Sequence, residues 1–181
     1  MDKRTIGVVW LREDFRTIKN DALIYATKNH EHVSAVYAYK KKEFYNRSAQ
    51  RWWLFHSLKN FKEKLDQLNI TLEVIETDSY KEVFEKISKK ENFSIYWNKI
   101  YEPKFLLFDQ KISNLLKLKN INFRIFKGNL LNEADEIKKN DNTPFKVFTP
   151  FWKTAEKFYL DKGFHRSEKI KSKNKKIKFL N

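Results

Sequence analysis

The chain has 181 residues, enough for one domain with a real core. Hydrophobic residues make up 41% and aromatics 16%, which excludes global disorder, and the lack of cysteine excludes disulfides, thiolate metal sites and a cysteine nucleophile. The net charge of +15 attracts polyanions, but only seven of the 38 basic residues are arginines, the better phosphate forks, so the lysine excess carries modest functional weight.

In chain order, "IGVVWL" (Ile6–Leu11) is a continuous apolar run, the pattern of a buried parallel strand. A polar loop follows, then "NDALIYATKNH" predicts a helix capped by Asn20. "VSAVYAY" (Val33–Tyr39) is the second strand. The next helix is expected to start at a capping Ser48, with Trp52, Leu54, Phe55, Leu58, Phe61, Leu65 and Leu68 on one stripe. "TLEVIET" gives a strand, "SYKEVFEKISKKEN" a helix and "SIYWN" a strand. Pro103 sits at the natural first turn of a helix through "KFLLFDQKISNLLKLKN", and "NFRIFKG" supplies the fifth strand.

Strand–helix alternation of this kind predicts an α/β domain with a parallel sheet and right-handed crossovers. The organisation expected is an α/β domain over residues 1–131, an exit segment over 132–164 and a basic tail over 165–181, the tail mobile. In the exit segment, "TPFKVFTPFWK" sets Phe145, Phe148, Phe151 and Trp152 beside Pro144 and Pro150. Two prolines so close argue against a regular helix there. An alternative puts a short helix at "FWKTAEKFYLDKG", with Phe158 and Tyr159 covering the aromatics.

The chemistry is sparse. In a doubly wound sheet, ligands bind beyond the carboxyl ends of the strands. The first loop there, "LREDFRTIKN", has no glycine, which rules out both a dinucleotide fingerprint and a Walker-type phosphate loop. Its Arg12, Glu13, Asp14 and Arg16 are either ligand-binding charges or a solvated, self-paired cluster. The four histidines form no constellation, and no serine lies in a nucleophile elbow. No apolar run is long enough for a membrane span and no signal peptide opens the chain, so a cytoplasmic protein without membrane contact is expected.

Four collinear segments, from Val8 to about Lys153, together resemble the N-terminal domain of the DNA photolyase/cryptochrome family. "VVWLREDFRTIKNDAL" is similar to that family's opening strand and loop, with Arg12, Asp14, Arg16, Asn20, Ala22 and Leu23 matching. Phe15 stands for the usual leucine and Lys19 for the usual aspartate. "RWWLFHSL" resembles its tryptophan-bearing helix, "YWNKIYEP" its fourth strand, and "PFKVFTPFW" its exit signature.

The resemblance implies a Rossmann-like, five-stranded parallel sheet flanked by helices. It implies an antenna domain that binds a light-harvesting chromophore (deazaflavin, flavin or methenyltetrahydrofolate) in support of light-dependent DNA repair. Binding positions carried over are Arg12, Asp14, Arg16 and Asn20, with Tyr101, Lys104 and Phe105 after the fourth strand. Lys104 and Phe105 replace the Asn-Glu pair common in folate-binding members, which favours the first loop. FAD enters only through a helical domain, missing or separately encoded. Phe148, Phe151 and Trp152 are expected at the interface with it, or in self-association, and the chain alone is expected to be inactive. Weak, non-specific DNA binding follows from the lysines. The competing readings are a basic α/β module for nucleotides or RNA, and a non-functional photolyase remnant.

Overall fold

The computed structural model describes residues 6–133, 135–162, 170 and 174–180. Five parallel strands form one sheet in the order β3-β2-β1-β4-β5. They are β1 (Ile6–Leu11), β2 (His32–Lys40), β3 (Thr71–Thr77), β4 (Phe93–Asn98) and β5 (Asn122–Phe126). The helices between them are α1 (Asp21–Asn29), α2 (Ser48–Asp66), α3 (Tyr80–Ile87) and α4 (Pro103–Leu118). The five-stranded α/β expectation is met, strand for strand.

The sheet is doubly wound because each central strand is apolar on both faces. Val8, Trp10, Val36, Ile95 and Trp97 face one way and pack with Val83, Phe84 and Ile87 of α3 and Ile112 and Leu116 of α4. Val9, Leu11, Val33, Ala35 and Tyr37 face the other way and meet Ala22, Leu23 and Ala26 of α1 and Phe61 and Leu65 of α2. Strand β1 lies in the middle, in register with β2 from Ile6↔His32 to Leu11↔Tyr37 and with β4 from Ile6↔Phe93 to Val9↔Tyr96. Chain direction across the sheet therefore reverses between β1 and β4, the place where open α/β sheets open a crevice at their carboxyl edge.

Local signals explain the helix starts. The Asn20 side chain accepts from the Leu23 amide and caps α1, and Pro103 occupies the first turn of α4, as expected. Ser48 is instead the first residue of α2, whose cap residue is Arg47 with no side-chain bond. The stripe on α2 is also narrower than expected. Phe61 and Leu65 are buried and Leu54, Leu58 and Leu68 partly so, a spacing of four, three, four, three, whereas Trp52 and Phe55 lie off it, 60% and 62% exposed.

Contacts divide the chain into two compact units, Met1–Gly128 with Glu168–Asn181, and Asn129–Ser167. The second unit holds α5 (Phe148–Lys162), so Pro150 does not prevent a helix. It stands third in the helix, where a backbone N–H has no intrahelical acceptor and its absence costs little.

The last part of the basic tail, expected to be mobile, packs on the α/β unit. Lys175 donates its backbone N–H to the Glu31 carbonyl at 3.0 Å, and His32 and Lys175 form a parallel bridge. Phe179 is buried against Phe93, ring centroids 5.0 Å apart, and the Phe179 and Leu180 amides donate to the Glu73 carboxylate at 2.7 and 2.8 Å. The lysine count hid one aromatic anchor and one waiting carboxylate. Residues 163–169 and 171–173 lie outside the described residues. Phe179→Ala should lower unfolding free energy by about 3 kcal/mol, the scale of a buried aromatic lost. An unchanged urea midpoint would show that Phe179 contributes nothing to the core.

Candidate functional site at the carboxyl edge of the sheet

Strand β1 delivers Arg12 to the carboxyl edge, where its guanidinium turns inward over the Trp10 ring, 4.7 Å from the centroid. Its Nη1 donates to Asp109 Oδ1 at 2.8 Å and its Nη2 to Asp109 Oδ2 at 3.3 Å, both side chains under 10% exposed (7% and 6%). Nη2 also donates to the Asn98 carbonyl. Burial pushes the Arg12 guanidinium down and the Asp109 carboxyl up, and each charge resists the shift of the other. The pair ties β1 to α4.

Asp14, Asn20 and Asn98 complete a polar knot. Asp14 accepts from the Arg12 backbone amide at 3.1 Å and from the Asn98 side chain. The Asn98 amide also donates to Asn20 Oδ1 at 2.8 Å, and its oxygen accepts from the Ala22 amide at 3.1 Å. The Asn20 amide in turn donates to the carbonyls of Asp14 and Arg16. So Arg12, Asp14 and Asn20 do converge, but they spend their hydrogen bonds on one another and on β4. Arg16 stands apart, its Nε donating to the Lys19 carbonyl at 3.0 Å on the surface.

After β4, the Tyr101 hydroxyl accepts from the Gly128 amide at 3.1 Å. Lys104 is exposed, pairs with Glu102 at 2.8 Å, and lies 4.8 Å from the Phe105 ring centroid. Donating to the Glu102 carboxylate holds the Lys104 ammonium above its usual range.

Two hollows open on this edge and share Arg12, Glu13 and Tyr37. The smaller, about 150 Å³, is walled by Trp10, Tyr80, Ile100, Phe105 and Phe108. The larger, about 540 Å³, lies against the short 3-10 turn Lys41–Phe44 and the start of α2, with Phe15, Phe44, Trp53 and Leu54 as its apolar walls. Tyr37 lies between them. Burial, then Glu43 and Glu13, push its phenol up to about 12. Tyr80 is raised further, by burial and by donating to Glu43 at 2.9 Å. Both phenols are therefore neutral at ordinary pH, and the Tyr37 hydroxyl has no hydrogen-bond partner among the described residues. The result is an aromatic-walled cleft of the size that takes a small planar ligand.

The model of the DNA photolyase family matches residues 7–171. The chain belongs to that family. It is 30% identical over 149 residues to the deoxyribodipyrimidine photo-lyase of Agrobacterium fabrum, covering 82% of this chain and 31% of the relative. It superposes on a bacterial class III photolyase from Agrobacterium tumefaciens with a TM-score of 0.78 at 27% identity, covering 98% of this chain and 38% of the other. An archaeal photolyase from Sulfolobus tokodaii, solved with two FAD molecules and described as implying a novel light-harvesting cofactor, has the same fold at 18% identity and a TM-score of 0.70. This photolyase-family chain thus spans about a third of the length of its relatives, and the part it spans is the α/β domain.

Sequence reasoning placed the binding set on the first loop and after the fourth strand, where Arg12 and Phe105 do line the hollows; it missed Tyr37, Glu43, Trp53 and Tyr80. Tyr37 carried a legible signal, since it lies at the carboxyl end of a predicted strand. Trp53 and Glu43 did not, because only the path of the turn before α2 brings them there. Asp109→Ala should destabilise the fold by about 3–5 kcal/mol, because it leaves the buried guanidinium uncompensated. Chemical denaturation checks this, and a loss below about 1 kcal/mol would mean that the pair is dispensable.

Proposed function

We propose that this chain is the antenna-type domain of a photolyase system, holding a planar light-absorbing chromophore in the cleft at the carboxyl edge of its sheet. The single observation that carries this is the larger hollow, where Phe15, Phe44 and Trp53 stand around a neutral, unpartnered Tyr37 phenol. A deazaflavin, flavin or methenyltetrahydrofolate would supply near-ultraviolet or blue absorption there. Trp53 and Phe44 would flank its ring, and Tyr37 would hydrogen-bond its polar edge. Excitation would pass to FAD on a helical domain outside these 181 residues, encoded with them or separately, in support of light-dependent DNA repair. DNA contact by this unit alone would be weak, non-specific and salt-sensitive.

The test is reconstitution of the purified chain with riboflavin, a 5-deazaflavin or methenyltetrahydrofolate, read by absorbance and fluorescence. At least one should bind, and Trp53→Ala should weaken it about tenfold, within the range lost with one aromatic stacking partner. Failure of all three to bind sinks the reading.

The same reading gives α5 the role of docking face for the helical domain. Phe148 is 71% and Trp152 43% exposed, their rings stacked at 6.2 Å, while Phe151 is half-buried beside Phe145. Tyr159 packs on Trp152 at 6.4 Å and donates to Asn132, so the aromatic surface is partly closed and partly open. Phe148→Ser with Trp152→Ser should reduce self-association in sedimentation velocity and leave the melting temperature within a few degrees of the parent. A large loss of thermal stability would instead make these rings core.

A further inference from the structure

The polar groups around the cleft have an unexpected sign for so basic a chain. Arg12 is the cation that both hollows share, and it is consumed by Asp109 and the Asn98 carbonyl. Its charge is answered at 2.8 Å, so little of it reaches a ligand. Glu13, one residue later, stands on the lip of both hollows. Its side chain is exposed and makes no hydrogen bond or ion pair among the described residues. Glu43 faces the smaller hollow with only the Tyr80 hydroxyl as donor. Lys104 lies close enough to be influenced by both carboxylates, but its ammonium pairs with Glu102. The remaining polar groups of the larger hollow, Tyr37, Gln50 and Ser57, are neutral.

We propose that Glu13 is a specificity determinant of this cleft: it accepts a ring N–H of a neutral chromophore and disfavours one that carries a phosphate. The inference rests on the chromophore reading above. A carboxylate is acceptor-only when ionised, so a free one at the mouth of an aromatic cleft wants an N–H or O–H donor. Isoalloxazine, deazaflavin and pterin rings all offer such a donor on their polar edge. An imide N–H donating to a carboxylate makes a charge-assisted bond, stronger than a neutral one. A phosphate dianion tethered to the same ring meets the charges of Glu13 and Glu43, and among the described residues lining the hollows the one cation, Arg12, is already paired with Asp109.

Riboflavin and FMN form the matched probe, differing only in the phosphate. The titration belongs at about 0.15 M salt, where the Debye length is about 8 Å and the long-range pull of the positive chain on FMN is damped. Riboflavin should bind about fivefold more tightly than FMN, the scale of one like-charge contact near a protein surface. A ring methylated at the imide nitrogen, 3-methylriboflavin, should lose at least as much. Glu13→Gln should pull the riboflavin-to-FMN ratio towards one without moving the melting temperature, since this side chain holds nothing in the fold. FMN binding as tightly as riboflavin, or a ratio unchanged in Glu13→Gln, overturns the proposal and leaves the chromophore site standing. No binding of any flavin or of methenyltetrahydrofolate removes the site itself, and the proposal with it.

Discussion

The geometry of the carboxyl edge depends on one buried ion pair. Taking Arg12 and Asp109 out of water costs several kcal/mol per ion, which their attraction offsets only when the geometry is good and further hydrogen bonds are made. Here the second guanidinium nitrogen reaches the Asn98 carbonyl and Trp10 covers the cation face, though the Arg12 Nε is left without a protein partner. What the pair supplies is position. It joins the first residue after β1 to the second turn of α4, and so holds Phe105 and Phe108 opposite Trp10. An apolar pair of equal volume could be as stable, but it would not fix the loop that presents Glu13.

A second constraint is the shortage of glycine. With three glycines in the chain, five of the six non-glycine left-handed positions among the described residues fall to asparagine, at Asn46, Asn69, Asn92, Asn120 and Asn142, with φ between 54° and 63°, and the sixth is Lys19 at 53°. After α2 and α4 the pattern is the same. Ile70 donates to the Leu65 carbonyl and Ile121 to the Leu116 carbonyl, each closing the helix end behind a left-handed asparagine. Described glycines are kept for close approach instead. A Cβ on Gly7 would lie 2.8 Å from the His30 ring, and one on Gly128 would lie 2.0 Å from the Lys99 carbonyl oxygen.

These facts explain what the sequence made legible. Apolar runs and Pro103 carry local information, so the strands, the α1 cap and the start of α4 could be read from residues alone. Trp52 and Phe55 misled because an aromatic at helical spacing looks like core whether or not anything covers it. The tail misled for the opposite reason: its lysine-rich neighbours concealed that the Phe179 amide and the Glu73 carboxylate meet across the fold. Of the first-loop residues, Arg12, Asp14 and Asn20 meet and Arg16 does not, and spacing does not reveal that Asn98 and Asp109, far along the chain, would use up their hydrogen bonds. Long-range pairing of this kind is invisible to periodicity.

Charge shows the same divide between composition and site. The chain carries +15 overall, yet the polar side chains lining this cleft are two carboxylates, an answered arginine, neutral hydroxyls and the Gln50 amide. Net charge governs what approaches from beyond a Debye length, whereas the few side chains within contact distance govern what stays. A basic surface and an acid-lipped cleft can therefore serve different partners without conflict. Nucleic acid would be held loosely from outside by lysines, and a neutral ring would be held within by Tyr37, Trp53 and Glu13. That separation is physically sound for a unit proposed to collect light beside DNA, because an open cationic pocket would be filled by phosphate before any chromophore reached it.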